Sequence, residues 1–332
     1  MNRNYDAQEK WHYRTSRRKK SNWIGVCLIG VAVIAMVVGI QSILHANLVV
    51  SGHDIVESQS NAVVTPDIVE ESYPQEIVQE SEQEDTAASQ ITLRQNPITD
   101  QEAQELTDLL DSMPGNISVW IQDIATGQTY TYQAEYSYYS ASILKAPYAL
   151  WLSQRDQAGE IDLNTLVSYK SGWERVYSMI ANSDNDAAYL LSKQWPSTEE
   201  TGFSSFLSTI GVANPTGCEV TPEGIHGYLT AEDGGAIMTA LYNYFETDTA
   251  NAQQLQQAFL DASHNLLWLP DTAAKKYGSW DMALHDMAIV YTDNPYIIVA
   301  FSDWGDTDVD FPTEGTARMQ QIGTLAAEIM EE

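Results

Sequence analysis

The sequence predicts an α+β domain carried behind a membrane-spanning segment, and three observations lead there. Apolar, strand-like segments lie near both ends of residues 98–332 with helix-like segments between them, so a single antiparallel sheet would be built from both chain ends with a helical block packed beside it. A long uncharged apolar run stands near the N-terminus. An acidic stretch with Ser, Gln and three prolines separates the two.

Residues 1–22 form a basic tail, with seven Lys or Arg against two acids. Residues 23–45 are uncharged and mostly apolar, enough for a helix crossing ~30 Å of hydrocarbon. Arg17, Arg18, Lys19 and Lys20 stand immediately before them and no comparable cluster follows. The positive-inside rule then leaves the tail in the cytoplasm and the rest outside, a single-pass protein of the cell membrane. A cleaved signal peptide is the rival reading; the length of the run and the lack of a clean A-x-A site favour an anchor. Residues 46–97 contain the loose repeat DIVES (54–58), DIVEES (67–72) and EIVQES (76–81). They offer too little apolar surface to fold alone and read as a disordered spacer.

The formal net charge of −30 argues against nucleic acid as a partner, because most of the chain would repel phosphates. Cys27 lies in the apolar run and Cys218 stands alone, which leaves neither a disulfide within the domain nor a Cys-based zinc site. No H-E-x-x-H or paired-His spacing suggests a metal, and no cofactor is implied.

In residues 98–332, Thr99 or Asp100 can cap a helix whose Leu106, Leu109, Leu110 and Met113 share a face, ended by Pro114-Gly115. ISVWIQDIATGQTYTYQA (117–134) reads as two strands turning at Ala125-Thr126-Gly127. A helix begins near Ser142, and two short helices are broken at Asn182–Asn185. AEDGGAIMTALYNYF and NAQQLQQAFLDAS add helix. MALHDMAIVYT and YIIVAFSDW are strands around Asp293-Asn294-Pro295, and TEGTARMQQIGTLAAEIM closes the chain as a helix.

Ser142 and Lys145, in SILK, sit three apart and so share a helical face. Alone the spacing is weak, and SRRK (16–19) repeats it. Context separates the two. Ser142 would lie in a first helical turn, where free backbone N–H groups steady negative charge. Lys145 sits in an otherwise apolar run, and a lysine drawn from water loses affinity for its proton and can act as a base. SDN (183–185) doubles as a helix cap, and SHN (263–265) shows how easily Ser-x-Asn arises. Lys-x-Gly occurs as KSG (170–172) and KYG (276–278).

Together SILK, SDN and KYG, in that order, resemble the active-site serine hydrolases that include class A β-lactamases and penicillin-binding proteins, which carry S-x-x-K, S-D-N and K-T-G. The likeness covers residues 100–332 and implies a β-lactamase-like fold. Motif order makes Lys276, not Lys170, the third lysine. The resemblance implies Ser142 as the nucleophile forming an acyl-enzyme and Lys145 as its base. Ser183 would relay a proton to the leaving nitrogen. Asn185 would hold the substrate's side-chain amide. Lys276, with Gly278, would supply positive charge for a substrate carboxylate and depress the pKa of Lys145. The backbone N–H groups of Ser142 and Ser279 would form the oxyanion hole.

Two departures bear on activity. Tyr277 stands where the family has Thr or Ser, and no E-x-x-L-N lies between Asn185 and Thr230 to activate deacylating water. The loop looks shortened, and its GCEVTPEGIHGYLT segment offers Glu219 and Glu223, neither in the right setting, so an acyl-enzyme should hydrolyse slowly. The implied function is a membrane-anchored, extracytoplasmic serine hydrolase acting on β-lactams or D-Ala-D-Ala-type wall peptides. The alternative is a non-catalytic module of the same fold that binds wall fragments or senses β-lactams. Retention of Ser142, Lys145, Ser183, Asn185 and Lys276 together argues against that alternative. A Ser-His-Asp hydrolase lacks its G-x-S-x-G elbow, and His285-Asp286 reads as a structural pair beside a strand.

Overall fold

A computed structural model describes residues 98–198, 202–213 and 215–331. The tail, the apolar run and the spacer (1–22, 23–45 and 46–97) lie outside these. Among the described residues no helix is long and apolar enough to cross a membrane.

Helix α1 (Asp100–Asp111) starts where the sequence places it, at a capping box in which Thr99 and Glu102 exchange side-chain and backbone bonds. Strands β1 (Ile117–Asp123) and β2 (Thr129–Tyr132) make the expected hairpin, with Asp123 Oδ1 accepting the turn N–H groups of Ala125 and Thr126. From the far end of the chain come β9 (Ala273–Trp280), β10 (Ala283–Val290) and β11 (Tyr296–Ser302). The antiparallel order is β2-β1-β11-β10-β9, so both chain ends do contribute and β9 is an edge. Lys276 therefore lies on an edge strand of the sheet.

Successive residues of β11 point to opposite faces and feed two separate cores. Ile297, Val299 and Phe301 pack with the helical block, while Tyr296, Ile298 and Ala300 pack with α1 and the C-terminal helix α8 (Thr313–Glu331). Burial on both faces explains why these strands read as nearly continuous apolar runs rather than alternating ones.

The helical block is centred on α2 (Lys145–Gln157), whose residues from Lys145 to Ser153 are all buried. Helices α3 (Gly172–Ala181) and α4 (Asn185–Gln194) follow, then α5 (Phe203–Thr209), α6 (Ala231–Phe245) and α7 (Ala250–Leu260). Three two-stranded ribbons pair β3 (Tyr138–Tyr139) with β8 (Tyr228–Leu229), β4 (Leu166–Val167) with β5 (Lys170–Ser171), and β6 (Glu219–Thr221) with β7 (Gly224–His226). Strands this short carry little periodicity, and they were not anticipated.

Candidate active site

Ser142 lies on a 3-10 turn (Ala141–Leu144), and α2 begins only at Lys145. The expected single helix is tightened at its start because Ala141 holds a left-handed φ of 47°, a costly conformation for a residue with a Cβ. Residues three apart on a 3-10 turn eclipse one another, which keeps Ser142 and Lys145 on one side. The turn is tied down from two directions. Ser140 N–H donates to Gly227 O at 3.0 Å, and His285 bonds Tyr139 O at 2.9 Å. Because Ser302 N–H donates to His285 Nδ1, the ring proton sits on Nε2 and is given to Tyr139. Burial pushes the His285 pKa down to about 4, so the ring stays neutral. His285 and Asp286 thus act structurally but not as a pair. Asp286 faces the other way, accepting the N–H groups of Leu266, Leu267 and Met287.

Edge strand β9 runs against the 3-10 turn at Gly278. A Cβ there would lie 3.0 Å from Ile143 Cγ1, 3.1 Å from Ser140 O and 3.2 Å from Ile143 N. A side chain here would force the strand and the serine-bearing turn apart by a few tenths of an ångström, so glycine favours the close approach.

Lys145 is 5% exposed and its amine does not reach bulk solvent. Nζ donates to Ser183 O at 2.7 Å and Asn185 Oδ1 at 2.6 Å, with a longer bond to Ser183 Oγ at 3.4 Å. Among the described residues no hydrogen bond joins Lys145 to Ser142, so the direct link that the sequence suggested is replaced by links to the 183–185 segment. These three contacts match the three N–H groups of an ammonium; on losing one proton the amine can keep the two short bonds and free its lone pair. Burial lowers the Lys145 pKa to about 8, against a smaller upward pull from Asp184. Asp184 itself caps α4, accepting the N–H groups of Asp186 and Ala187, and this fixes Ser183 and Asn185 on either side of it. Ser183, like Ala141, is left-handed, with φ of 52°.

Lys276 is fully buried and donates to Ser183 Oγ at 2.9 Å and Tyr277 O at 2.6 Å. Burial and then the neighbouring Lys145 hold its pKa well below the usual lysine range. The like-charge cost therefore falls on Lys276, whereas Lys145 is lowered by its own burial. Lys170 is exposed on β5 and shares none of these contacts.

The SILK, SDN and KYG segments thus meet at one place, at the edge of one antiparallel sheet. A sequence profile of the beta-lactamase enzyme family matches residues 101–330. The chain belongs to the beta-lactamase enzyme family. Among solved structures, its fold is similar to that of PBP-A, at 15% identity and a TM-score of 0.60 over 72% of this chain and 99% of that one. A variant of PBP-A in an acyl-enzyme complex with penicillin G matches at 14% identity and TM-score 0.60, over 71% and 99% of the two chains. A beta-lactamase from Chitinophaga pinensis matches at 16% identity and TM-score 0.57, over 69% and 98%. Comparison with curated proteins finds no match.

Set beside that family's pattern, the remaining residues of this beta-lactamase-family site divide sharply. Glu219 and Glu223 are both exposed on the β6–β7 hairpin. The Ser279 hydroxyl donates to the Asp310 carbonyl. Tyr277, noted only as a departure, does more than the sequence shows. It follows Lys276 directly on β9, and its ring centroid lies 4.5 Å from the lysine Nζ. The phenol sits beside the Ser183 hydroxyl, and the ring packs on His264 at 4.7 Å and Phe311 at 5.4 Å. Phe311 carried no sequence signal, and His264 lay inside SHN (263–265), which read only as a chance Ser-x-Asn; both reach the site through loops.

Proposed function

We propose that this chain is a serine acyl-transfer hydrolase in which Ser142 attacks an amide carbonyl of the β-lactam or wall-peptide kind. The observation that carries the reading is the buried Lys145 amine, one turn on from Ser142, bonded to Ser183 and Asn185 with its pKa lowered to about 8. Ser142 Oγ would form the bond to the carbonyl carbon while its proton passes to Lys145 Nζ. The backbone N–H groups of Ser142 and Ser279 would receive the developing oxyanion. As the C–N bond breaks, Ser183, poised between Lys145 and Lys276, would hand a proton to the leaving nitrogen. Asn185, already bonded to Lys145, would orient the acyl side chain. Water would then release the acid from Ser142, slowly, because the sequence holds no E-x-x-L-N between Asn185 and Thr230 and both Glu219 and Glu223 are exposed.

The PBP-A variant, an acyl-enzyme with penicillin G, supports penicillin as the probe. The full-length chain incubated with a fluorescent penicillin should gain one adduct on Ser142, read by peptide mass spectrometry and lost in Ser142→Ala. Reversible binding without an adduct would favour the non-catalytic module. The domain would stand outside the cytoplasm on a spacer, anchored through residues 23–45. Protease added to intact cells should then remove the domain and leave the N-terminal tail protected; a protected domain would refute that orientation.

A further inference from the structure

A carboxylate brought into a buried site is tolerated only where a cation or several donors await it. The amine that the family resemblance assigns to a substrate carboxylate, Lys276 Nζ, is here committed elsewhere, and so is the neighbouring hydroxyl of Ser279. Lys276 is fully buried, with its bonds directed to Ser183 Oγ and its own strand's Tyr277 O, and the Tyr277 ring covers its amine. The Ser279 hydroxyl points to the Asp310 carbonyl. Lys275, the next amine along β9, lies within the influence of Asp286 and Asp271.

The side chains gathered beyond the Lys276 amine are mostly aromatic. Tyr277, His264 and Phe311 pack mutually, the His264 and Phe311 rings stacked at 4.6 Å. Ser263 N–H donates to Ala181 O at 2.8 Å, which pins the His264 loop to the end of α3 beside Ser183. Burial and Lys276 lower the His264 pKa, so it adds no charge at neutral pH, and the Asp310 carboxylate lies near enough to act on the Tyr277 phenol. An incoming anion would meet a π-face and an acid in place of an ammonium.

We propose that Tyr277, by closing over Lys276, makes this enzyme selective for amide or ester donors that carry no carboxylate on the leaving side. The inference rests on acyl transfer at Ser142. Its chemistry is unchanged: the Ser142 oxygen bonds the acyl carbon, Lys145 takes the hydroxyl proton, and the leaving group departs protonated. Only the donors admitted differ.

Penicillin G and its methyl ester differ by that one charge and test the point directly. Acylation rate constants of the full-length wild-type chain, read by intact mass, should be at least tenfold higher for the ester. In Tyr277→Thr the ester-to-acid ratio of acylation rate constants should fall at least tenfold, whatever the absolute rates. Tyr277→Phe, which keeps the ring and removes the hydroxyl, should retain the wild-type preference and its fold, checked by thermal melting. A wild-type chain that takes the acid as fast as the ester, or takes neither, overturns the proposal; so does a ratio unchanged in Tyr277→Thr. A fluorophosphonate separates the two levels. If it modifies Ser142 in a chain that fails the penicillin comparison, selectivity alone is wrong; if Ser142 is inert to it as well, acyl transfer falls too.

Discussion

The amines of Lys145 and Lys276 converge on one oxygen, Ser183 Oγ, at 3.4 and 2.9 Å. A hydroxyl has two lone pairs and one proton, so an oxygen that accepts from both amines keeps its own proton free to donate. Two ammonium charges around one buried oxygen are costly, and the proton lost on the approach to alkaline pH belongs to the coupled pair.

Acylation should follow that ionisation. Lys145 accepts a proton only when neutral, and its pKa is lowered to about 8. The acylation rate should therefore rise tenfold per pH unit from about pH 6 and level off above about pH 9. Lys145→Ala should lower the plateau by about 10²–10⁴-fold and abolish the inflection. Stopped-flow fluorescence with a reporter β-lactam measures both; a flat profile would show that Lys145 is not the base.

Gly278→Ala should separate β9 from the 3-10 turn. Its Cβ meets backbone at 3.1–3.2 Å, where no side chain can yield. Overpacking of this kind costs about 1–3 kcal/mol, visible as a lowered Tm, and the misplaced nucleophile should acylate at least tenfold more slowly. Unchanged labelling would mean that the contact does not position Ser142.

His285 and Asp286 should pull stability in opposite directions under acid. As pH falls from 6.5 toward 4, the unfolded chain protonates a histidine that the native state keeps neutral, a loss of roughly 3 kcal/mol. Burial raises Asp286 to about 6 from 3.8, so over pH 6 to 4 the native state takes its proton first and is stabilised. Asp286→Asn removes the second effect. Its urea midpoint should drop more steeply with acid than that of the wild type; parallel slopes would contradict the assignment.

Deacylation should be indifferent to the hairpin acids. Glu219 and Glu223 are exposed, so Glu219→Gln and Glu223→Gln should leave the lifetime of the Ser142 adduct unchanged. Chasing labelled protein with unlabelled compound over hours gives that lifetime, and a marked extension in either variant would identify the base.

Much of this site was legible as local spacing. Ser142 and Lys145 share a side because three residues make one tight turn. Asp184 was recognisable as a cap because its neighbours carry the pattern of a helix start, and the capped turn is what presents Ser183 and Asn185. Lys170 and Lys276 could be ranked only by motif order, and the structure separates them physically: one is exposed on a two-residue ribbon, the other buried at a sheet edge. The 3-10 turn was read as α-helix because the left-handed Ala141 has no signature; alanine is ordinarily a helix former. His285 and Asp286 were read together because they are adjacent, whereas strand geometry sends them to opposite faces.

Residue type and short-range periodicity determined the elements, the three motif segments and the chemistry each can offer, because helix and strand geometry act over a few residues. Tertiary structure alone decided that Lys145 turns to a segment 38 residues on, that Lys276 reaches Ser183 across 93, and that an aromatic ring covers its amine. Those outcomes depend on desolvation, a sum over neighbours contributed by distant parts of the chain, and no local pattern contains that sum.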